Sequence, residues 1–127
     1  MIIHDLSPEA VTQMTQVDLS QVTERPGSPI GEFAFHDCRI GVGSFVGCPH
    51  WERHNGGDEL LFVLAGTSNL TVLDEDGQVT RPVGAGTLVV VPQGRWHSND
   101  APDGVTMLYV TPREGNEHSS TRPDAGA

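Results

Sequence analysis

The segment Trp51–Gly66 reads WERHNGGDELLFVLAG, and the rest of the chain is best read outward from it. On an extended strand, side chains two apart share a face, so His50, Glu52 and His54 point one way while Trp51 and Arg53 point the other. Asn55-Gly56-Gly57 permits a tight reversal that returns Glu59 beside His54. From Glu59 the same face carries Leu61, Val63 and Ala65, an apolar row that lines an interior below the acid. An acid and imidazoles buried together are costly, and a divalent cation is the simplest compensation. Standing alone, WERH would read as a charged pair on a solvated strand; it is the company of Glu59, and of His97 further on, that argues otherwise.

Around this segment the chain is short strands and turns. Phe33 and Phe35 alternate with Glu32, Ala34 and His36, and RIGVGSFV at Arg39–Val46 continues the period, with Ile40 and Val42 on one face. Gly41 and Gly43 mark a bend or a close approach to another strand. Leu60–Ala65, Ser68–Leu73, Gln78–Val83, Thr87–Val91 and Val105–Thr111 are further strands, separated by Gly66-Thr67, by the hairpin signal DEDG at Asp74–Gly77, by Gly84-Ala85-Gly86 and by Asp103-Gly104. Before them, Ser7-Pro8-Glu9 can start a helical turn, Val17–Val22 an edge strand, and Glu24–Pro29 a loop. The expected division is an N-terminal arm and edge strand over 1–30, a β-domain over 31–112 and a flexible or surface-draped tail over 113–127. No helical pattern alternates with the strands, which predicts an all-β antiparallel sandwich or barrel.

Composition agrees. A chain of 127 residues suits one domain, and 15 glycines with 9 prolines supply frequent turns. The formal charge of −10, from 17 acidic and 7 basic residues, opposes approach to a nucleic-acid backbone or an anionic membrane. Cys38 and Cys48 have no CxxC spacing and read as buried thiols of a reducing compartment. MIIHDLSPEAVTQM has no basic n-region before a long apolar core, and a cytoplasmic, non-membrane protein is the expectation. There is no GxSxG elbow or phosphate-cradling GxxxxGK, and the glycine-rich GVGSFVG has no helix after it, so metal chemistry leads.

The segment Glu52–Gly66 resembles the first motif of the cupins: His-x-His, three or four residues, Glu, six residues, Gly. His54 stands at the second His, Asn55–Asp58 are the spacers, Glu59 is the Glu and Gly66 closes it. The second motif, Gly, five residues, Pro-x-Gly, two residues, His, is matched by Gly86, Pro92, Gly94 and His97. Ala101 takes the place of its terminal Asn, with Asn99 nearby, and Glu52 takes the place of the first His. The resemblance implies a single-domain jelly-roll β-barrel with a divalent metal (Fe, Mn, Ni or Zn) in its interior, and commonly a homodimer.

Three arrangements are open at Glu52. It completes a ligand set of Glu52, His54, Glu59 and His97; or it serves as acid or base beside a His54, Glu59, His97 triad; or His50 joins the ligands from two residues up the strand. Trp51 and Trp96 are expected to face outward, against the N-terminal segment or a partner subunit. His4, His36 and His118 read as ordinary. The functional expectation is a metal-dependent enzyme acting on a small oxygen-bearing metabolite by isomerase, lyase or dioxygenase chemistry, with Glu52 or His50 moving the proton. The alternative is a non-catalytic small-ligand binder or sensor.

Overall fold

Alternating sequence becomes sheet throughout the body of the molecule. A computed structural model describes residues 1–19, 27–48 and 50–124. Among them are one helix, α1 (Pro8–Thr12), and the strands β1 (Val17–Asp18), β2 (Phe33–Phe35), β3 (Cys38–Gly47), β4 (Trp51–His54), β5 (Glu59–Asp74), β6 (Gly77–Gly84), β7 (Leu88–Val91), β8 (His97–Pro112) and β9 (Asn116–Ser119). The helix starts as its sequence predicts: Ser7 caps it, accepting from the Ala10 N–H at 3.3 Å, and Pro8 opens the first turn. The expected edge strand is seen at Val17–Asp18; residues 20–22 of it, like residues 24–26 of the expected loop, lie outside the described residues.

The strands form a jelly roll organised on β5 and β8. The ladder runs β1-β3-β8-β4-β9, with β2 on the far side of β3 and β5 joining β8 to β6 and β7. Among the described residues it does not close into a continuous barrel, and β1 pairs with β3 in parallel while the other pairings are antiparallel. No helix among them is long and apolar enough to cross a membrane.

Three boundaries differ from the sequence expectation. Leu60–Ala65 and Ser68–Leu73 are one strand, because Gly66-Thr67 makes an irregularity in the ladder and not a turn. Gly66 has φ +76°, and a Cβ there would collide with the carbonyl oxygen of Gly104, so the irregularity requires glycine. β8 begins eight residues before Val105, at His97. The first half buries His97, Ser98, Asn99 and Ala101, nearly consecutive positions that are mostly polar, so no apolar alternation announces it. The tail expected to be flexible contains β9, which pairs with β4 along its length; residues 125–127 lie outside the described residues.

Inside, Phe45, Leu61, Val63, Val91, Val105 and Met107 belong to one apolar cluster. Leu61 and Val63 fall there as the alternation from Glu59 requires, each side chain contributing about 1.5–3 kcal/mol of burial. Gly41 is where a strand is approached closely, since a Cβ on it would strike the Tyr109 ring. Cys38 is half-buried but Cys48 is exposed, its Sγ 3.4 Å from Ser98 Oγ, which corrects the expectation of two buried thiols.

Candidate metal centre

Three strand ends meet at the site. β4 ends on His54, β5 begins on Glu59, and β8 begins on His97. The turns that precede Glu59 and His97 grip each other: the Gly94 N–H donates to the His54 carbonyl (2.9 Å), the Gln93 N–H to Asp58 Oδ1 (2.8 Å), and Gln93 Nε2 to the Asn55 carbonyl (2.6 Å). The two motif spacings in the sequence are therefore two halves of one docked turn pair.

His54, Glu59 and His97 are all buried and each offers one donor atom within 4.8 Å of the others. His54 Nε2 lies 3.1 Å from Glu59 Oε2, and His97 Nε2 lies 3.1 Å from Glu59 Oε1. Thr111 Oγ1, also buried, donates to Glu59 Oε2 at 2.6 Å. Despite the short separations, neither Nε2 makes an aligned hydrogen bond, leaving two orphaned polar atoms in the interior.

The opposite edges of the rings set their tautomers. His97 Nδ1 faces the Arg95 carbonyl at 3.3 Å, which can only accept, so Nδ1 carries the proton. His54 Nδ1 lies 2.7 Å from Asn116 Oδ1, and Asn116 Nδ2 donates to the Pro112 carbonyl at 2.8 Å, which fixes the amide with its oxygen toward the imidazole. In the neutral rings both Nε2 atoms thus turn lone pairs toward a carboxylate. Burial works against the charged form of Glu59, but the His54 and His97 imidazoles outweigh it and hold the carboxyl far below its ordinary range. Burial likewise disfavours a charged His54, and Glu59, then Asn116 and Glu52, outweigh it and raise its pKa above 6.5. Two imidazole nitrogens and one carboxylate converging without good hydrogen bonds fit a divalent cation, and the set matches the two-His, one-carboxylate triad.

Glu52 lies outside this cluster. It stands opposite His97 on one side and His118 on the other, with Oε2 buried, without a hydrogen bond, and 3.9 Å from His118 Nδ1. His118, expected to be ordinary, thus faces the site's second carboxylate. His50 is exposed and supplies no donor. Trp96 does not face outward as expected: it is 7% exposed, and the Arg53 guanidinium lies 4.8 Å from its ring centre. Trp51 is half-buried.

A cavity of about 90 Å³ opens beside the cluster, bordered by Glu52, Glu59, Asn99 and Tyr109 and by the apolar Leu19, Phe45, Leu61 and Met107. Asn99 accepts from Ser68 Oγ at 2.9 Å and faces this cavity, whereas Ala101 is packed in the core. Sequence reasoning missed Thr111 and Asn116. Thr111 shares the inward parity of Val105 and Met107, and a polar residue in that row is a signal that was available. Asn116 lies in a polar tail with no pattern.

A Cupin domain family model matches residues 37–111, more than half of the chain. No curated protein matches in sequence. Among solved structures, an uncharacterized conserved protein with a double-stranded beta-helix domain from Klebsiella pneumoniae is similar over 95% of this chain and 99% of its own, with TM-score 0.68 and 13% identity. Hydroquinone 1,2-dioxygenase from Sphingomonas sp. TTNP3, solved with 4-hydroxybenzoate bound, is similar over 65% of this chain and 63% of its own, with TM-score 0.56 and 15% identity. Oxalate decarboxylase of Bacillus subtilis, studied for its Mn(II) centres, is similar over 65% of this chain and 24% of its own, with TM-score 0.58 and 15% identity. Strand pattern, paired motifs, jelly-roll topology and family match agree, and the chain belongs to the cupin family.

Proposed function

We propose that this cupin is a metal-dependent enzyme that acts on a small oxygen-bearing metabolite, with a divalent transition ion (Fe, Mn, Ni or Zn) held by His54, Glu59 and His97. The observation that carries the proposal is the pair of buried, unpartnered Nε2 atoms aimed at the Glu59 carboxylate. When bound, such an ion supplies Lewis acidity toward a carbonyl or enolate oxygen. The neighbouring dioxygenase and Mn(II) oxalate decarboxylase support this class of chemistry, with isomerase and lyase types alongside it.

The chain's own residues do the rest. Leu61, Phe45 and Met107 limit water in the cavity, and Thr111 holds one oxygen of Glu59 so that the carboxylate cannot rotate. Glu52 borders the same cavity, its Oε2 makes no hydrogen bond and stands 3.9 Å from His118 Nδ1, and this scheme gives it the role of taking and returning a proton from the substrate. His50, being exposed, has no role in this scheme. A cavity of about 90 Å³ is smaller than the ~150 Å³ that encloses benzene, so the portion of substrate that enters is a few heavy atoms.

The protein is proposed to act as a homodimer. On the outer face of the sheet, Leu60 pairs with Val110 and Val90, and Phe62 with Leu108 and Leu88, giving an apolar patch whose Leu88 and Val90 are 58% and 52% exposed. Sedimentation of wild type and a Leu88→Lys, Val90→Glu variant tests this, with a dimer converted to monomer as the expected result.

The metal reading is tested by stripping the protein and titrating Mn(II), Ni(II), Zn(II) and, anaerobically, Fe(II) by calorimetry, then screening the loaded protein against small hydroxy- and oxo-acids. Stoichiometric binding with turnover is expected. No binding overturns the reading; binding of metal and small acids without turnover moves the protein to the sensor class.

A further inference from the structure

Asn116 lies outside the 37–111 span of the family match, yet it touches a residue of the metal cluster. We infer that Asn116 is a positioning residue for the metal centre, and that the C-terminal strand β9 is part of the site because it carries the acceptor that selects the tautomer of His54. This rests on the proposed metal site.

The argument is one of polarity. The Pro112 carbonyl takes a hydrogen bond at 2.8 Å and can only accept, so Asn116 must offer it the amide nitrogen. That leaves Oδ1, 2.7 Å from His54 Nδ1, as an acceptor and makes Nδ1 the protonated nitrogen. Nε2, 3.1 Å from Glu59, is then the nitrogen with the free lone pair, and the ring is held at two edges. The same strand anchors its neighbours: Glu117 pairs with Arg53, whose guanidinium covers Trp96, and His118 stands opposite Glu52. The backbone adds a further tie, the Asn55 N–H donating to the Gly115 carbonyl at 2.9 Å immediately after His54. Without Asn116, His54 is free to exchange tautomers or turn its ring, and the Glu59 carboxylate 3.1 Å away would draw the proton to Nε2, where a lone pair is needed.

The test uses the full chain and two readouts. Nitrogen-15 NMR of the metal-free protein, followed with rising pH until the His54 signals stop shifting and the ring is neutral, reports the His54 tautomer directly. Wild type should show Nδ1–H alone, Asn116→Ala a mixture, and Asn116→Asp, which keeps the acceptor, Nδ1–H again. Calorimetric Zn(II) affinity should fall about 10–100-fold in Asn116→Ala and recover in Asn116→Asp. A His54 tautomer unchanged in Asn116→Ala overturns the inference, as does a Zn(II) affinity within about twofold of wild type. If Asn116→Ala does not fold, wild type showing Nε2–H overturns it by itself. Should wild type bind no metal, the metal reading fails, and the NMR result still decides whether Asn116 sets the tautomer.

Discussion

The two walls of the candidate metal site are built differently. Glu59 and His97 stand at the ends of β5 and β8, two sixteen-residue strands paired with each other from Leu60↔Val110 to Val72↔His97 and rooted in the apolar cluster. His54 ends a four-residue strand whose register meets β8 only at Glu52↔His97 and is otherwise held by the four residues of β9. One wall is fixed by burial, the other by a short polar strand at the sheet edge. A site of this kind has two donors set by the global fold and a third set by a local contact that can open on its own.

Substitutions that break this contrast have graded effects. Glu59→Ala is the largest: it removes the carboxylate both imidazoles face, and metal affinity should fall by more than the ~10–100-fold of an outer contact, measured by calorimetry. Leu61→Ala, in the firm wall, should lower unfolding free energy by about 2–5 kcal/mol in denaturant melts. Glu117→Ala, in the light wall, removes a partly exposed partner of Arg53 and should cost only about 0.2–1 kcal/mol, with hydrogen exchange quickening at His54 and Asn55 before Leu61. Glu52→Gln should leave metal affinity least changed of all while abolishing turnover, since its oxygen lies outside the donor cluster. Loss of metal in that variant would restore Glu52 to the ligands.

Acidity sharpens the same comparison. Glu59's carboxyl is held low, so in the metal-free protein its contribution is present above 4.5 and is lost as pH falls through its depressed value. His54's pKa is raised, so its contribution is present below 6.5 and is lost as pH rises through its raised value. These pairs therefore stabilise the metal-free protein most between 4.5 and 6.5. A cation competes with the proton on His54, so metal affinity should fall roughly tenfold per pH unit below that raised value. Thermal melts across pH should show metal adding most stability on the alkaline side; a metal effect independent of pH would mean that His54 is not a ligand.

Legibility in the sequence followed the two periodicities. Where apolar residues alternate, as from Glu59 to Val63, both the strand and the inward acid could be read, and where Pro92-x-Gly94 sets a turn, His97 could be placed. Where inward positions are polar, as at His97 and Asn99, no apolar period marks the strand, and only the second half of β8 is legible. The arm of Glu52 was ambiguous for a different reason: parity gives a face, but not the distance to a cluster.

What the amino-acid sequence determined alone was local: strand faces, turn positions and the spacing that sends His54, Glu59 and His97 to one place. Only the tertiary structure decided which donors converge, that Trp96 is buried under Arg53, and that Asn116 reaches back to His54. The reason is physical. Periodicity records which side of a strand a residue occupies, whereas a contact between residues 54 and 116 depends on which strands become neighbours, and that is settled by how the whole sheet packs.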